Sequence, residues 1–137
     1  MRRARIEDAE RIAEYDLLLT GYEQSFDPDL KIGEDFLEED MAKVKVQLQD
    51  ENYIFLICDE GYIKGQVQDA PEYLDEELMG FVHMAFVKKE FRGEGIGRQL
   101  YEALEKEFEN RGISLIELDV YFQNEAGRNA WKAFGFR

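Results

Sequence analysis

At 137 residues, with 45% hydrophobic and 13% aromatic side chains, the chain has material for one self-contained core; it is too short for a second domain and too apolar for a disordered polymer. Thirty-one acidic against seventeen basic residues leave a net charge of -14, which repels nucleic acid and anionic lipid and makes cationic partners the natural class. No apolar run approaches the roughly 20 residues that span a bilayer, Met1 to Arg5 leads into Glu7 and Asp8 rather than a signal core, and the single Cys58 reads as a small core residue, so a cytoplasmic setting is expected.

Met1 to Ile6 can form a short strand, after which Asp8 can cap a helix that turns Ala9, Ile12, Ala13, Leu17 and Leu19 inward. Thr20 to Gly33 reads as loop. Leu37, Met41, Val44 and Leu48 recur at helical spacing within a second helix from about Glu34 to Asp50. Tyr53 to Cys58 and Tyr62 to Gln68 form a hairpin around Asp59-Glu60-Gly61. Beyond an acidic loop, Asp69 to Glu77, the apolar run Leu78 to Val87 reads as a central strand. Ile96, Leu100, Ala103, Leu104 and Phe108 mark an amphipathic helix that Arg111 and Gly112 end. Alternation over Leu115 to Phe122 predicts a further strand, and a last helix spans about Asn124 to Phe134. That order predicts an α/β fold of the α+β type, a mixed central sheet with helices on both faces, in a single domain over 1–137.

Between the central strand and the helix that follows lies Phe91-Arg92-Gly93-Glu94-Gly95-Ile96-Gly97-Arg98. Alternating glycines leave the backbone unshielded, so successive N–H groups can converge on one anion where the helix dipole also favours negative charge. Arg92 and Arg98 can add positive charge locally, which lets a strongly acidic protein hold a pyrophosphate. A Walker loop would need Gly-Lys-Ser/Thr, and a Rossmann fingerprint would need GxGxxG after the first strand; the GxGxG of Gly93, Gly95 and Gly97 fits neither. The competing account is a glycine turn that only permits close packing.

This segment resembles the signature of the GNAT superfamily of acyl-CoA N-acyltransferases, Arg/Gln-x-x-Gly-x-Gly/Ala, matched by Arg92, Gly95 and Gly97 after Val87 and a short spacer. Leu118, Val120, Asn124, Gly135 and Phe136 match a second family segment, a Leu-x-Val strand, an Asn and a closing Gly-Phe. The resemblance implies acetyl-CoA as cosubstrate, lying between two splayed parallel strands, and direct attack by a primary amine in a ternary complex. It implies that the Val87 backbone meets the pantetheine arm, that Arg92, Gly93, Glu94, Gly95, Ile96, Gly97 and Arg98 hold the pyrophosphate, and that Asn124 touches the arm from the other side. Asn124 also has a plain reading as a helix cap.

Two departures from the family pattern stand out. Trp131 fills the position four residues before Gly-Phe where the family places a tyrosine acid, and an indole N–H cannot act as one. The given sequence also stops at Arg137, where the family adds another strand; either a partner such as a second copy in a homodimer covers the edge beside residues 115–122, or a longer tail does. For the base, His83 and Asp119 are the two candidates, and His83 is read as sharing a strand face with Val87. The loop between the first two helices carries Tyr22, Glu23, Phe26, Asp27 and Asp29, a mixture that suits a cationic amine on a small molecule or peptide. Asp27 and Asp29 do not make a calcium loop, because Lys31 and Ile32 stand where an acceptor and a glycine are needed, and no metal is expected. An acyl-CoA sensor or interaction domain without catalysis is the alternative function.

Overall fold

Cys58 stands opposite Gly61 in an antiparallel hairpin, so the turn is Asp59-Glu60, and the strands on either side, β2 (Tyr53–Cys58) and β3 (Gly61–Asp69), form the middle of a five-stranded sheet. A Cβ on Gly61 would overlap the Phe86 carbonyl, which explains the glycine. The computed structural model describes residues 1–137, and the remaining elements are β1 (Arg2–Arg3), α1 (Ala9–Glu23), α2 (Phe36–Leu48), β4 (Leu78–Val87), α3 (Ile96–Asn110), β5 (Ile116–Leu118) and α4 (Glu125–Ala133). Spatial order follows chain order, β1 to β5, with every pairing antiparallel except the parallel β4–β5 pair. Element order and the mixed sheet match the sequence expectation.

Alternation in β2 and β3 sorts the core into two layers. Ile54, Leu56 and Ile63 pack with Leu100, Leu104 and Phe108 of α3, and Trp131 and Phe134 of α4 join that side. Phe55, Ile57 and Tyr62 pack instead with Ile12 and Tyr15 of α1 and Val44 of α2. Both faces of β2 are therefore buried, which is why it reads as a continuous apolar run rather than an apolar/polar alternation. α3 ends as its sequence foretells: Gly112 sits at φ +76°, with Ile113 N–H bonded to Phe108 and Gly112 N–H to Glu109. No helix is long and apolar enough to cross a membrane.

Several expectations need correction. The first strand is only Arg2–Arg3, and Asp8 does not cap α1 with its side chain. Its carboxylate turns back to accept two bonds from Arg2, at 2.7 and 2.8 Å, and one from Arg5 N–H at 2.7 Å, because a guanidinium fork offers more than a neutral N–H. Those bonds hold the Asp8 carboxyl down to about 2. β5 covers Ile116–Leu118 rather than 115–122, since only Gly80, Phe81 and Val82 of β4 run alongside it. α2 is also shorter than expected, and Leu37 within it is 44% exposed instead of packed.

A buried polar network fastens α1 and α2 to the sheet. Asp16, only 2% exposed, accepts a hydrogen bond from the Tyr62 hydroxyl, and the buried Lys64 ammonium donates to Gln47 of α2 at 3.1 Å. Burial, reinforced by the neighbouring Asp40 carboxyl, raises the Asp16 pKa to about 8. Asp16 is thus protonated when folded and ionised when unfolded between about pH 4 and 8, so its contribution to stability is full at low pH and is lost as pH rises through that window. Asp16→Asn should remove this component. In denaturant titrations from pH 5 to 8, the stability difference should shift toward the variant by up to ~1.4 kcal/mol per pH unit; parallel profiles for the two proteins would contradict it.

Candidate active site

The sheet parts at a single point. β4 and β5 pair at Gly80, Phe81 and Val82, and there the pairing stops, while β4 continues to Val87. On its other side β4 carries a bulge at the same place: Lys64 faces Met84, Gly65 faces Val82, and His83 faces no one. An extra residue bends a strand and sharpens its twist, and β5 does not follow. A cleft of about 490 Å³ opens where the strands diverge, lined on the β4 side by Val82, His83 and Ala85 and on the β5 side by Leu118, Asp119 and Val120. Tyr22 and Glu23 of α1, Asn124 and Trp131 complete the wall.

The bulge also overturns the expectation that His83 and Val87 share a face. Val82, Ala85 and Val87 pack with the α3 layer, whereas Met84 and Phe86 belong to the α1–α2 layer. His83 lies with the latter, its ring 6.2 Å from Tyr53 and 4.8 Å from Phe81, with Nε2 2.7 Å from Gln66 Oε1. One inserted residue shifts the strand's parity. His83 keeps an exposed face, yet desolvation by the packed rings first, then the Lys64 and Lys43 ammonium groups, lowers its pKa, and Asp119 opposes them. His83 is therefore neutral at pH 7. Asp119, the other candidate base, is exposed on the opposite wall of the same cleft.

At the end of β4 the glycine turn takes a defined shape. Gly93 and Gly95 have φ of +85° and +84°, and Gly95 is the N-cap of α3. The first helical bond runs from Gln99 N–H to the Gly95 carbonyl at 3.1 Å. Gly93, Glu94 and Gly95 make no backbone hydrogen bond through N–H, and Ile96, Gly97 and Arg98 lie in the first turn, where a helix has no acceptor to offer. A Cβ on Gly93 or Gly95 would meet nothing within 4 Å, and one on Gly97 only Val87 Cγ2 at 3.8 Å. Close packing thus accounts for none of the three. Positive φ accounts for two, and Gly97, which is helical, is explained by neither.

The two arginines are placed differently from the sequence expectation. Arg92 Nε donates to the Val87 carbonyl at 3.0 Å, which keeps its charge beside the turn but occupies that carbonyl. Arg98 reaches α4, donating to Ala133 O at 3.1 Å and lying 4.9 Å from the Phe134 ring. Its charge helps to dock α4 as well as to flank the turn.

On the opposite wall, Asn124 caps α4: its Oδ1 accepts from Gly127 N–H at 2.9 Å and from the Tyr22 hydroxyl at 3.4 Å. Tyr121 donates to Asp27 at 3.2 Å and stacks on Phe26. The loop after α1 is thereby tied to the segment after β5 across the mouth of the cleft. Burial and the Asp27 carboxylate raise the Tyr121 pKa, so this hydroxyl stays protonated. Trp131 is wedged among Tyr101, Phe134 and Phe136, with ring centroids 5.4 to 5.8 Å away. Gln66, Tyr53 and Phe81, which surround His83, escaped the sequence reading, because nothing in an apolar strand pattern marks where a bulge will fall.

Residues 15–136 match the Acetyltransferase (GNAT) family. Over 59 residues the chain is 36% identical to N-alpha-acetyltransferase 30 of Schizosaccharomyces pombe, a match that spans 43% of this chain and 39% of that protein. Among solved structures, a tetramutant of the BH1408 protein of Bacillus halodurans superimposes with a TM-score of 0.85 at 19% identity, over 99% of this chain and 92% of its own. An aminoglycoside N-acetyltransferase in complex with CoA does so with a TM-score of 0.72 at 19% identity, over 99% of this chain and 86% of its own.

Removing the Asn124 cap should cost about 1 kcal/mol. Asn124→Ala is expected to lower the denaturation midpoint accordingly, whereas Asn124→Asp, which keeps an acceptor, should recover most of the loss; equal stability of all three proteins would mean the Gly127 bond contributes nothing.

Proposed function

The chain belongs to the GNAT acetyltransferase family, and on that premise we propose that it moves an acetyl group from acetyl-CoA to a primary amine by direct attack within a ternary complex. The observation that carries this reading is the run of N–H groups from Gly93 to Arg98 without protein acceptors, in the turn that follows the end of β4. Six donors and a helix N-terminus suit a pyrophosphate, and Gly97, unexplained by conformation or packing, leaves room for one to approach. The Val87 backbone and Asn124 flank the path that the pantetheine arm would take, and the unit 1–137 works as one N-acyltransferase domain.

The amine enters on the side of Tyr22, Glu23 and Tyr121, the wall where a carboxyl and aromatic rings stand together. The fission-yeast relative is by name an N-alpha-acetyltransferase, which favours a peptide α-amine as the first acceptor to test. Deprotonating an α-amine at pH 7 costs only ~1 kcal/mol, against ~4 to 5 for a lysine side chain. A neutral His83 is suited to take that proton, and Asp119 on the facing wall is the second candidate. No tyrosine stands at Trp131, so the sulfur leaves as thiolate, tolerable for a thiol with a pKa of roughly 8.5. The wedged indole also gives the acyl-CoA sensor its one specific support, and turnover separates the two.

Acetyl-CoA at a hundred times its Kd should stabilise the protein by about 2.7 kcal/mol. Gly97→Glu places a carboxylate in the first turn of α3, where the dipole favours it, so the unliganded variant should be at least as stable as the parent. The melting shift with acetyl-CoA should vanish. An undiminished shift would remove the pyrophosphate from this turn. His83→Ala should reduce kcat/KM by roughly 10² to 10⁴ and abolish an acidic limb lying below pH ~6.5, with Asp119→Asn near normal; the reverse pattern would assign the base to Asp119.

A further inference from the structure

Tyr53, Gln66 and Phe81 face one another across β2, β3 and β4, and the bulged His83 leans over this row. Gln66 and Gln68, two apart on β3, lie on the same face, and the Gln68 amide nitrogen donates to Gln66 Oε1 at 2.9 Å. With Gln68 presenting its nitrogen, the Gln66 amide presents its oxygen. The oxygen faces His83, and at 2.7 Å from Nε2 it can only accept. In a neutral imidazole one nitrogen donates and the other accepts. We infer that Gln66, oriented by Gln68, is a positioning residue that fixes His83 as its Nε2–H tautomer and leaves the Nδ1 lone pair for the acceptor amine.

Tyr53 and Phe81 confine the ring on the sheet side, and no protein group bonds Nδ1. The charged groups around His83 are Lys64 and Lys43, which oppose a positive imidazole, and Asp119, which favours it. A glutamine is a fitting partner in these surroundings. A carboxylate at its place would stabilise the imidazolium and lose the base at neutral pH, whereas an amide orients the ring without charging it. The catalytic consequence rests on the reading of His83 as base: Nδ1 takes the proton that the ammonium loses, the free amine forms the C–N bond as the C–S bond breaks, the nitrogen's second surplus proton passes to the thiolate or solvent, and the imidazolium returns its own to solvent.

His83 is the only histidine in the chain, so a long-range proton–nitrogen correlation spectrum of the labelled protein reports this one ring. Above its titration the spectrum should show a protonated Nε2 and a bare Nδ1. Gln66→Glu should raise the imidazole pKa and carry the acidic limb of kcat/KM upward by the same interval. Gln66→Leu should leave a mixture of tautomers and lower kcat/KM at the plateau by about tenfold, with the acetyl-CoA melting shift intact. Should the leucine variant fail to fold, Gln66→Glu still supplies the readout. A wild-type ring protonated at Nδ1, or a titration unmoved in Gln66→Glu, would overturn the inference. The expected spectra together with normal turnover by His83→Ala would uphold Gln66 as the orienting group and reject His83 as base.

Discussion

Between Lys64 and Gly65 the β3–β4 ladder slips by one, because Met84 and Val82 take the two partners and His83 takes none. The rest of the site depends on that slip. It falls where the parallel pairing with β5 stops, so the sheet stays closed below Val82 and open above it. It also reverses the parity of β4, sending His83 toward the α1–α2 layer while Val87 stays with α3. A regular strand would put His83 and Val87 on one face, and the imidazole would lose its partner Gln66.

An acidic protein can hold an anion only through local groups, and groups suited to that gather at one end of one helix. Two glycines at positive φ and the first turn of α3 present N–H groups with no protein acceptor, and Arg92 is anchored beside them. Glu94 is the one carboxylate within the turn, between the two glycines. Part of the chain's acidity is spent inside, where Asp16 is kept protonated between α1 and the sheet. On the other wall of the cleft, Tyr22 at the end of α1 donates to Asn124, the cap of α4, and Tyr121 donates to Asp27 in the loop after α1.

The sequence made the element order, the hairpin, the extent of β4 and the glycine turn legible, since each leaves a local mark: alternation, a two-residue turn, an apolar run, and glycines before an amphipathic helix. What it hid was set by partners distant in the chain. Asp8 looks like a cap until Arg2 claims its carboxylate. Arg98 looks like a phosphate ligand, yet its guanidinium reaches the end of α4. Val120 and Phe122 alternate as strand residues do, but β4 turns away before they can pair. The bulge is the hardest case, because Val82-His83-Met84 carries no glycine or proline to announce it.

Transfer from acetyl-CoA to an amine within one complex is tested by initial rates of thiol release with acetyl-CoA and a panel of peptide and small-molecule amines. Release is expected only when an amine is present, with double-reciprocal lines that intersect as both substrates are varied. Acetyl-CoA binding without release for any amine, or parallel lines that signal an acetylated protein intermediate, would contradict it.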